Sequence, residues 1–184
     1  MTFNEALKLV GIAEGKWTND PRDINGGLTV CGISRKQCPD APIWNYVDRL
    51  LARGLSLASA EKIARSDHYF MGLVEAYYRG KYWNVCKCDD LPNLLRYPVF
   101  SAAVNIGHVQ ASKILQRACG AKADGKIGPL SLRACCAIDE GILCNLFCER
   151  WRAYYRTLVK NNPKFEVYAK GWQNRVSNVV RDNH

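Results

Sequence analysis

Residues 14–32 have the sequence Glu14-Gly15-Lys16-Trp17-Thr18-Asn19-Asp20-Pro21-Arg22-Asp23-Ile24-Asn25-Gly26-Gly27-Leu28-Thr29-Val30-Cys31-Gly32. This segment starts with a glutamate, passes through a turn-rich part with two aspartates, and returns around a Gly-Gly pair to a threonine. Glu14, Asp23 and Thr29 therefore have the spacing E-x8-D-x5-T. The glycines and other turn-forming residues predict a small β-hairpin between residues 24 and 33.

The spacing suits the hydrolysis of a glycosidic bond. That reaction uses one carboxylic acid to protonate the leaving oxygen and a second, ionised carboxylate to act on water or on the developing cation. Two such groups face each other across a sugar when they come from different elements joined by a turn, as Glu14 and Asp23 do. Asp20 is the alternative second carboxylate, because it lies only three positions before Asp23 on a turn-rich stretch. An ordinary helix end followed by a hairpin is the structural alternative.

A helix is predicted directly before this segment. Thr2 and Glu5 have the spacing of a capping box. Apolar residues then recur at helical spacing at Phe3, Leu7 and Val10. Glu14 continues the same face, and Gly15 is well placed to end the helix. A carboxylic acid at the end of an apolar face is partly desolvated, which raises its pKa and favours the protonated form that a general acid needs.

Four short matches carry a family resemblance: Glu14-Gly15, Asn19-Asp20-Pro21 with Asp23, Gly26-Gly27 with Thr29, and Gly32-Ile33-Ser34. With them, the chain resembles glycoside hydrolase family 108, the phage-type N-acetylmuramidases. Lys16 and Cys31 depart from the family pattern. The resemblance implies cleavage of the β-1,4 bond between N-acetylmuramic acid and N-acetylglucosamine. It also implies Glu14 as general acid, Asp23 as base or electrostatic stabiliser, and Thr29 as the residue that orients water.

Candidate substrate-binding residues lie both inside and beyond this segment. They are Trp17, Asp20, Tyr82, Trp83 and Asn105. The block that contains Tyr82 and Trp83 is similar to the Tyr-Arg-x-x-Tyr-Trp block at the end of the family's first lobe. Its aromatic rings are predicted either to form a platform for sugar rings or to pack in the core, with equal weight. Asn105 belongs to an Ala-x-Asn-x-Gly pattern that resembles a cleft-lining helix of phage-type lysozymes.

The second half resembles the peptidoglycan-binding domain of the same family. The matching residues are Ala103-Val104-Asn105-Ile106-Gly107, Leu115-Gln116-Arg117-Ala118, Asp124-Gly125-Lys126-Ile127-Gly128-Pro129 and Leu132. Within them, a helical stretch over residues 102–120 is predicted to be interrupted near Gly107, and Pro129 is predicted to start the next helix. We therefore expect a predominantly helical α+β protein with a lysozyme-like, two-lobed fold and a small β-hairpin at the active site. Residues 1–90 are the predicted catalytic lobe and residues 91–184 the helical, peptidoglycan-binding-like lobe, joined in one integrated unit.

Length and charge narrow the class of partner. The 184 residues, of which 48% are hydrophobic and 23% charged, suit a globular protein with a proper core. The net charge of +9 suits an anionic partner, and bacterial peptidoglycan is the expected one. The basic residues are scattered, which argues against nucleic acid, while a weak contact of the last helix with an anionic membrane surface stays open. We expect a monomer.

The start of the chain shows no signal-peptide pattern, and no apolar run has the length of a membrane span. We therefore expect a protein made in a host cytoplasm that acts in the periplasm or cell wall after membrane permeabilisation, as a bacteriophage endolysin does. No metal or organic cofactor is expected. Two alternatives remain: a lytic transglycosylase, and a non-catalytic cell-wall-binding protein of the same fold.

Nine cysteines are the least ordinary feature of the composition. An odd number without a signal peptide argues against a secretory disulfide framework. We expect reduced, mostly buried thiols, because a free cysteine behaves as a small hydrophobe. The alternatives are zinc binding by the pairs Cys86-x-Cys88 and Cys144-x3-Cys148, and disulfides that form in an oxidising periplasm.

Overall fold

The structure is a computed structural model that describes residues 1–11, 15–20 and 27–183. In these residues the chain forms nine α-helices and one three-stranded antiparallel sheet. They divide into two compact units, which we call the sheet unit (Leu7–Arg79) and the helical unit (Met1–Ala6 with Gly80–His184). The predicted division of function between residues 1–90 and 91–184 stays a prediction.

The described chain is mostly helical, as expected for the predicted α+β class. The helices are α1 (Phe3–Val10), α2 (Trp44–Ala52), α3 (Leu57–Arg65), α4 (His68–Tyr78), α5 (Asn93–Ile106), α6 (His108–Ala118), α7 (Pro129–Cys136), α8 (Glu140–Asn161) and α9 (Glu166–Asp182). The strands are β1 (Thr18–Asp20), β2 (Gly27–Val30) and β3 (Ile33–Ser34). A π-helical turn at Arg79–Trp83 and 3₁₀ turns at Cys88–Asp90 and Pro163–Phe165 join helices.

The predicted capping box opens α1. The Thr2 backbone N–H donates to Glu5 Oε2 at 2.7 Å, and the Glu5 N–H donates to Thr2 Oγ1 at 3.4 Å. The predicted end of the helix at Gly15 is wrong. The helix ends at Val10 because Gly11 adopts a left-handed φ of +71° and donates its N–H to Lys8 O at 2.9 Å. Glu14 lies outside the described residues, so its predicted place on the apolar face and its desolvation stay predictions.

The sheet has the order β1-β2-β3. The tight turn between β2 and β3 places both of its central residues, Cys31 and Gly32, at positive φ, +48° and +73°. That combination is typical of the type I′ turn, whose twist matches a hairpin. The predicted hairpin is present as β2 and β3, and β1 adds a third strand. The Tyr78 hydroxyl donates to Cys31 O at 2.9 Å and fixes the turn against the end of α4.

An aromatic cluster forms part of the core of the sheet unit. Trp17 is buried, and its ring centroid lies 5.7 Å from that of Phe70. The ring centroid of Phe70 in turn lies 5.1 Å from that of Tyr46. The Tyr46 hydroxyl donates to Asp67 at 2.5 Å, which holds the pKa of Asp67 below its usual range, while burial and the same carboxylate raise the pKa of Tyr46 to about 12. Asp67 also caps α4, so one carboxylate fixes both the helix start and the core.

In the helical unit, α5 packs on α6 and α8, and α9 packs back on α8. Gly107, at φ +83°, interrupts the helical stretch between α5 and α6 at the predicted position. Pro129 opens α7, also as predicted. Gln116 is almost fully buried, where it donates to Asp124 Oδ1 at 2.8 Å and accepts from the Gly125 N–H at 2.8 Å. This contact fixes the Asp124-Gly125 turn against α6.

Most of the thiols are buried, as predicted. All nine cysteines are free, and seven of them are buried; Cys38 is half-buried and Cys136 exposed. Burial raises the pKa of the Cys86 thiol to about 11. Within residues 1–11, 15–20 and 27–183, no three His, Cys, Asp or Glu side chains lie close enough together to hold a metal ion. None of the helices in the described part of the chain is long and apolar enough to span a bilayer.

Candidate active site

The sheet carries a row of hydroxyl groups that the sequence did not predict. Thr29 pairs with Thr18 on one side and with Ser34 on the other. Residues directly opposite each other in an antiparallel sheet point to the same face, so the three hydroxyl side chains line one face. Asp20 lies two residues after Thr18 and therefore shares this face. The opposite face carries Val30, which is fully buried.

Thr29 lies in the middle strand and is half-buried. Its hydroxyl donates to Gly27 O at 3.5 Å, a distance well beyond the usual 2.7–2.8 Å of a hydroxyl hydrogen bond. The internal contact is therefore weak, and the hydroxyl retains the capacity to hold a water molecule. This position agrees with the role predicted for Thr29, which stays a prediction.

Glu14 and Asp23, the other two predicted catalytic residues, lie outside the described residues. Gly15, which follows Glu14 in the chain, is described. Arg65 Nη2 donates to Gly15 O at 2.6 Å. Arg65 Nε and Nη2 also donate to Glu61 Oε1 at 2.9 and 2.6 Å. The guanidinium group thus connects helix α3 to the backbone next to Glu14.

We expect Arg65→Met to lower kcat by about 10- to 100-fold while KM changes little. The Arg65 guanidinium holds the backbone next to Glu14, the predicted general acid, and misplacement of such a group by about 1 Å costs rate on this scale. Arg65→Lys should recover only part of the rate, because an ammonium group cannot contact Gly15 and Glu61 as a planar fork does. Kinetics on soluble muropeptides measure both constants.

Lys62→Met is the matched control for this prediction. Lys62 lies on the same helix and is exposed, so its replacement removes an equal charge without touching Gly15. It should leave kcat unchanged. Equal losses in the Arg65 and Lys62 variants would assign the effect to net charge and remove the positioning role.

Three of the predicted substrate-binding residues differ sharply in exposure. Trp17 is 5% exposed and Trp83 fully buried, so neither ring offers a face to a sugar in this structure. Trp83 has its ring centroid 5.5 Å from those of both Phe3 and Phe100, edge to face. For Trp83 the structure therefore supports core packing, the second of the two interpretations. Tyr82 is half-buried, with Lys81 Nζ 5.7 Å from its ring centroid.

Asn105 lies in the last turns of α5 and is exposed. Its side-chain amide donates to Ser101 O at 2.7 Å, which leaves the amide oxygen for other partners. Asn105 and Tyr82 belong to the helical unit, whereas Trp17, Asp20 and Thr29 belong to the sheet unit. Substrate contacts of Asp20, Tyr82 and Asn105 stay predictions.

A pair of substitutions separates packing from sugar binding in this block. Trp83→Ala should destabilise the protein by about 3–5 kcal/mol, the usual cost of removing a large buried ring. Tyr82→Ala should leave the melting temperature close to that of the wild type and raise KM if the ring contacts sugar. Thermal denaturation and kinetics of the two variants provide the test. A stable Trp83→Ala protein with a raised KM would restore the platform interpretation for Trp83.

Two family models match the sequence in succession. The model of glycosyl hydrolase 108 matches residues 7–107, which is more than half of the chain and contains Glu14, Asp23 and Thr29. The chain belongs to the glycosyl hydrolase 108 family. A second model, described as a predicted peptidoglycan domain, matches residues 110–177. The hydrolase and peptidoglycan domains together support a glycoside hydrolase that degrades peptidoglycan and binds it.

Among solved structures, this family 108 chain is similar to SagA of Brucella abortus. The two share 28% sequence identity with a TM-score of 0.68. The match covers 98% of this chain and 92% of SagA, so the likeness extends over the whole fold. No curated protein matches the sequence.

Proposed function

We propose that this family 108 protein is an N-acetylmuramidase, a lysozyme that cleaves the β-1,4 bond between N-acetylmuramic acid and N-acetylglucosamine. The observation that carries the proposal is the E-x8-D-x5-T spacing within the residues that match the hydrolase family. Thr29, the described member of this set, is half-buried on a strand face that it shares with Asp20. The hydroxyl row on that face is suited to hold water.

In the proposed mechanism, protonated Glu14 donates its proton to the glycosidic oxygen as the bond to C1 of N-acetylmuramic acid breaks. Asp23 stays ionised and either removes a proton from water or stabilises the positive charge that develops on the sugar ring. Thr29 holds the water that supplies the new hydroxyl at C1. The departing N-acetylglucosamine takes the proton from Glu14. The attacking water releases a proton to Asp23 when Asp23 acts as base, and otherwise to the ionised Glu14, so the products together gain one water molecule.

The mass of the products tests this reaction. Purified peptidoglycan sacculi are digested, and the released muropeptides are analysed by mass spectrometry. A muramidase gives products that end in reducing N-acetylmuramic acid. A lytic transglycosylase gives 1,6-anhydro ends, which are lighter by one water. Anhydro products would identify a lytic transglycosylase and contradict the proposed hydrolysis. Intact sacculi would indicate a binding protein without catalysis.

The biological setting that we propose is a bacteriophage endolysin, made in the host cytoplasm and active on the periplasmic wall after membrane permeabilisation. The positive charge of +9 supports it, because the wall carries carboxylate and phosphate groups. Expression inside a bacterium should leave the cells intact until the inner membrane is permeabilised, and turbidity should then fall. Lysis without permeabilisation would contradict this setting.

A further inference from the structure

A cleft opens between α8 and α9, inside the part of the chain that matches the peptidoglycan domain. Its volume is ≈ 430 Å³, within the usual range for small-ligand sites. The residues that line it are Tyr155, Arg156 and Val159 from α8, and Glu166, Ala169 and Gln173 from α9. The positions on α9 lie three and four residues apart and share one helix face. Nothing in the mechanism proposed above uses this cleft.

A buried tyrosine forms part of the cleft wall. Tyr155 is only 2% exposed, and its ring stacks on Trp172 with centroids 4.9 Å apart and planes inclined by 18°. The ring centroid of Trp151 lies 5.9 Å from that of Tyr155, so aromatic neighbours on both helices hold the Tyr155 ring in place. The Tyr155 hydroxyl is buried and has no hydrogen-bond partner in the described part of the chain. The Tyr155 ring is therefore a rigid part of the cleft wall.

Two opposite charges lie at the cleft, one on each helix. Arg156 and Glu166 are both exposed, and neither forms an ion pair or side-chain hydrogen bond with another residue in the described ranges. Gln173 adds an amide, whose Nε2 donates to Arg152 O at 3.4 Å, a long contact. The walls between these polar groups are apolar, formed by Val159 and Ala169. The arrangement suits a ligand that carries both a carboxylate and an ammonium group.

We propose that this cleft binds the stem peptide of peptidoglycan, at a site separate from the catalytic residues of the sheet unit. The stem peptide carries carboxylates, and its diamino acid carries an ammonium group, whereas the N-acetylated glycan has no cation. The Arg156 guanidinium pairs with a peptide carboxylate through two parallel hydrogen bonds, and Glu166 pairs with the ammonium group. The proposal rests on the proposed function only for the identity of the polymer.

Calorimetric titration of the full chain with the tripeptide L-Ala-γ-D-Glu-meso-diaminopimelate tests the site. The wild type should bind it saturably, and Arg156→Gln should weaken binding by about tenfold or more, the usual effect of losing a charge-assisted pair. Glu166→Gln should weaken the binding of this tripeptide. It should leave unchanged the binding of an analogue that has alanine as its third residue. Tyr155→Phe should fold and bind the tripeptide as the wild type does, because its hydroxyl is buried and has no partner to lose.

Arg175→Gln is the matched control, since Arg175 is an exposed arginine of α9 that does not line the cleft. It should bind the tripeptide as the wild type does. The proposal is overturned by the absence of saturable binding, by equal losses in the Arg156 and Arg175 variants, or by displacement of the peptide by tetra-N-acetylchitotetraose. Failure to cleave sacculi with peptide binding intact would instead reject the muramidase proposal alone, so the two failures are distinguishable.

Discussion

Glu14→Gln is expected to abolish measurable lysis, a loss at the upper end of the ~10²- to 10⁴-fold range that general acid catalysis supplies. Glutamine has nearly the shape of glutamic acid, but it cannot donate a proton to the glycosidic oxygen. Folding should survive, because the two side chains have nearly the same size and shape. The measurements are the fall in turbidity of outer-membrane-permeabilised cells, the release of muropeptides, and the melting temperature.

Glu75→Gln provides the control for this substitution. Glu75 is an exposed glutamate of α4, in the same unit, and its replacement makes the same chemical change. It should leave both activity and melting temperature unchanged. Substantial muramidase activity in the Glu14→Gln protein would remove Glu14 from the mechanism. An unfolded Glu14→Gln protein would make Glu14 a structural residue.

Local signals in the sequence predicted the parts of the fold that local physics determines. The capping box at Thr2, the break at Gly107 and the helix start at Pro129 each depend on a backbone preference of one or two residues. The end of α1 was missed because apolar periodicity continues past Gly11, whose left-handed conformation competes with it and prevails. Strand β1 was missed because Thr18-Asn19-Asp20 has little β propensity of its own and is held by pairing with β2.

The candidate site was likewise predicted only where the signal is local in the sequence. The spacing of Glu14, Asp23 and Thr29 is visible in the chain, and Thr29 does lie on a strand of the small sheet. Arg65 was not predicted, because its contact with Gly15 joins residues 50 positions apart and leaves no local pattern. The sequence also could not show whether Trp83 is buried or binds sugar. A large apolar ring suits both roles, and only its neighbours in the fold distinguish them.

Asp23→Ala is expected to lower the rate of hydrolysis by ~10²- to 10⁴-fold, the scale of a positioned acid–base group. Asp20→Ala should lower it much less. Both carboxylates require testing, because Asp20 shares a sheet face with Thr29 and is half-buried there. The rates of both variants on the same sacculi, with melting temperatures to confirm folding, give the comparison. Reversed magnitudes would transfer the second catalytic role to Asp20.

A double-mutant cycle with Thr29→Val then identifies the carboxylate that acts on the water held by Thr29. Valine keeps the branched shape that suits β2 and removes only a hydroxyl with a weak internal contact, so the fold should tolerate it. If Asp23 and Thr29 hold the same water, Asp23→Ala already removes most of the rate enhancement that depends on Thr29. The double variant should then lose less rate than the product of the two single fold-losses. Asp20→Ala and Thr29→Val should combine as independent changes. Coupling of Thr29 to Asp20 but not to Asp23 would place the nucleophilic water beside β1 and leave Asp23 to stabilise charge.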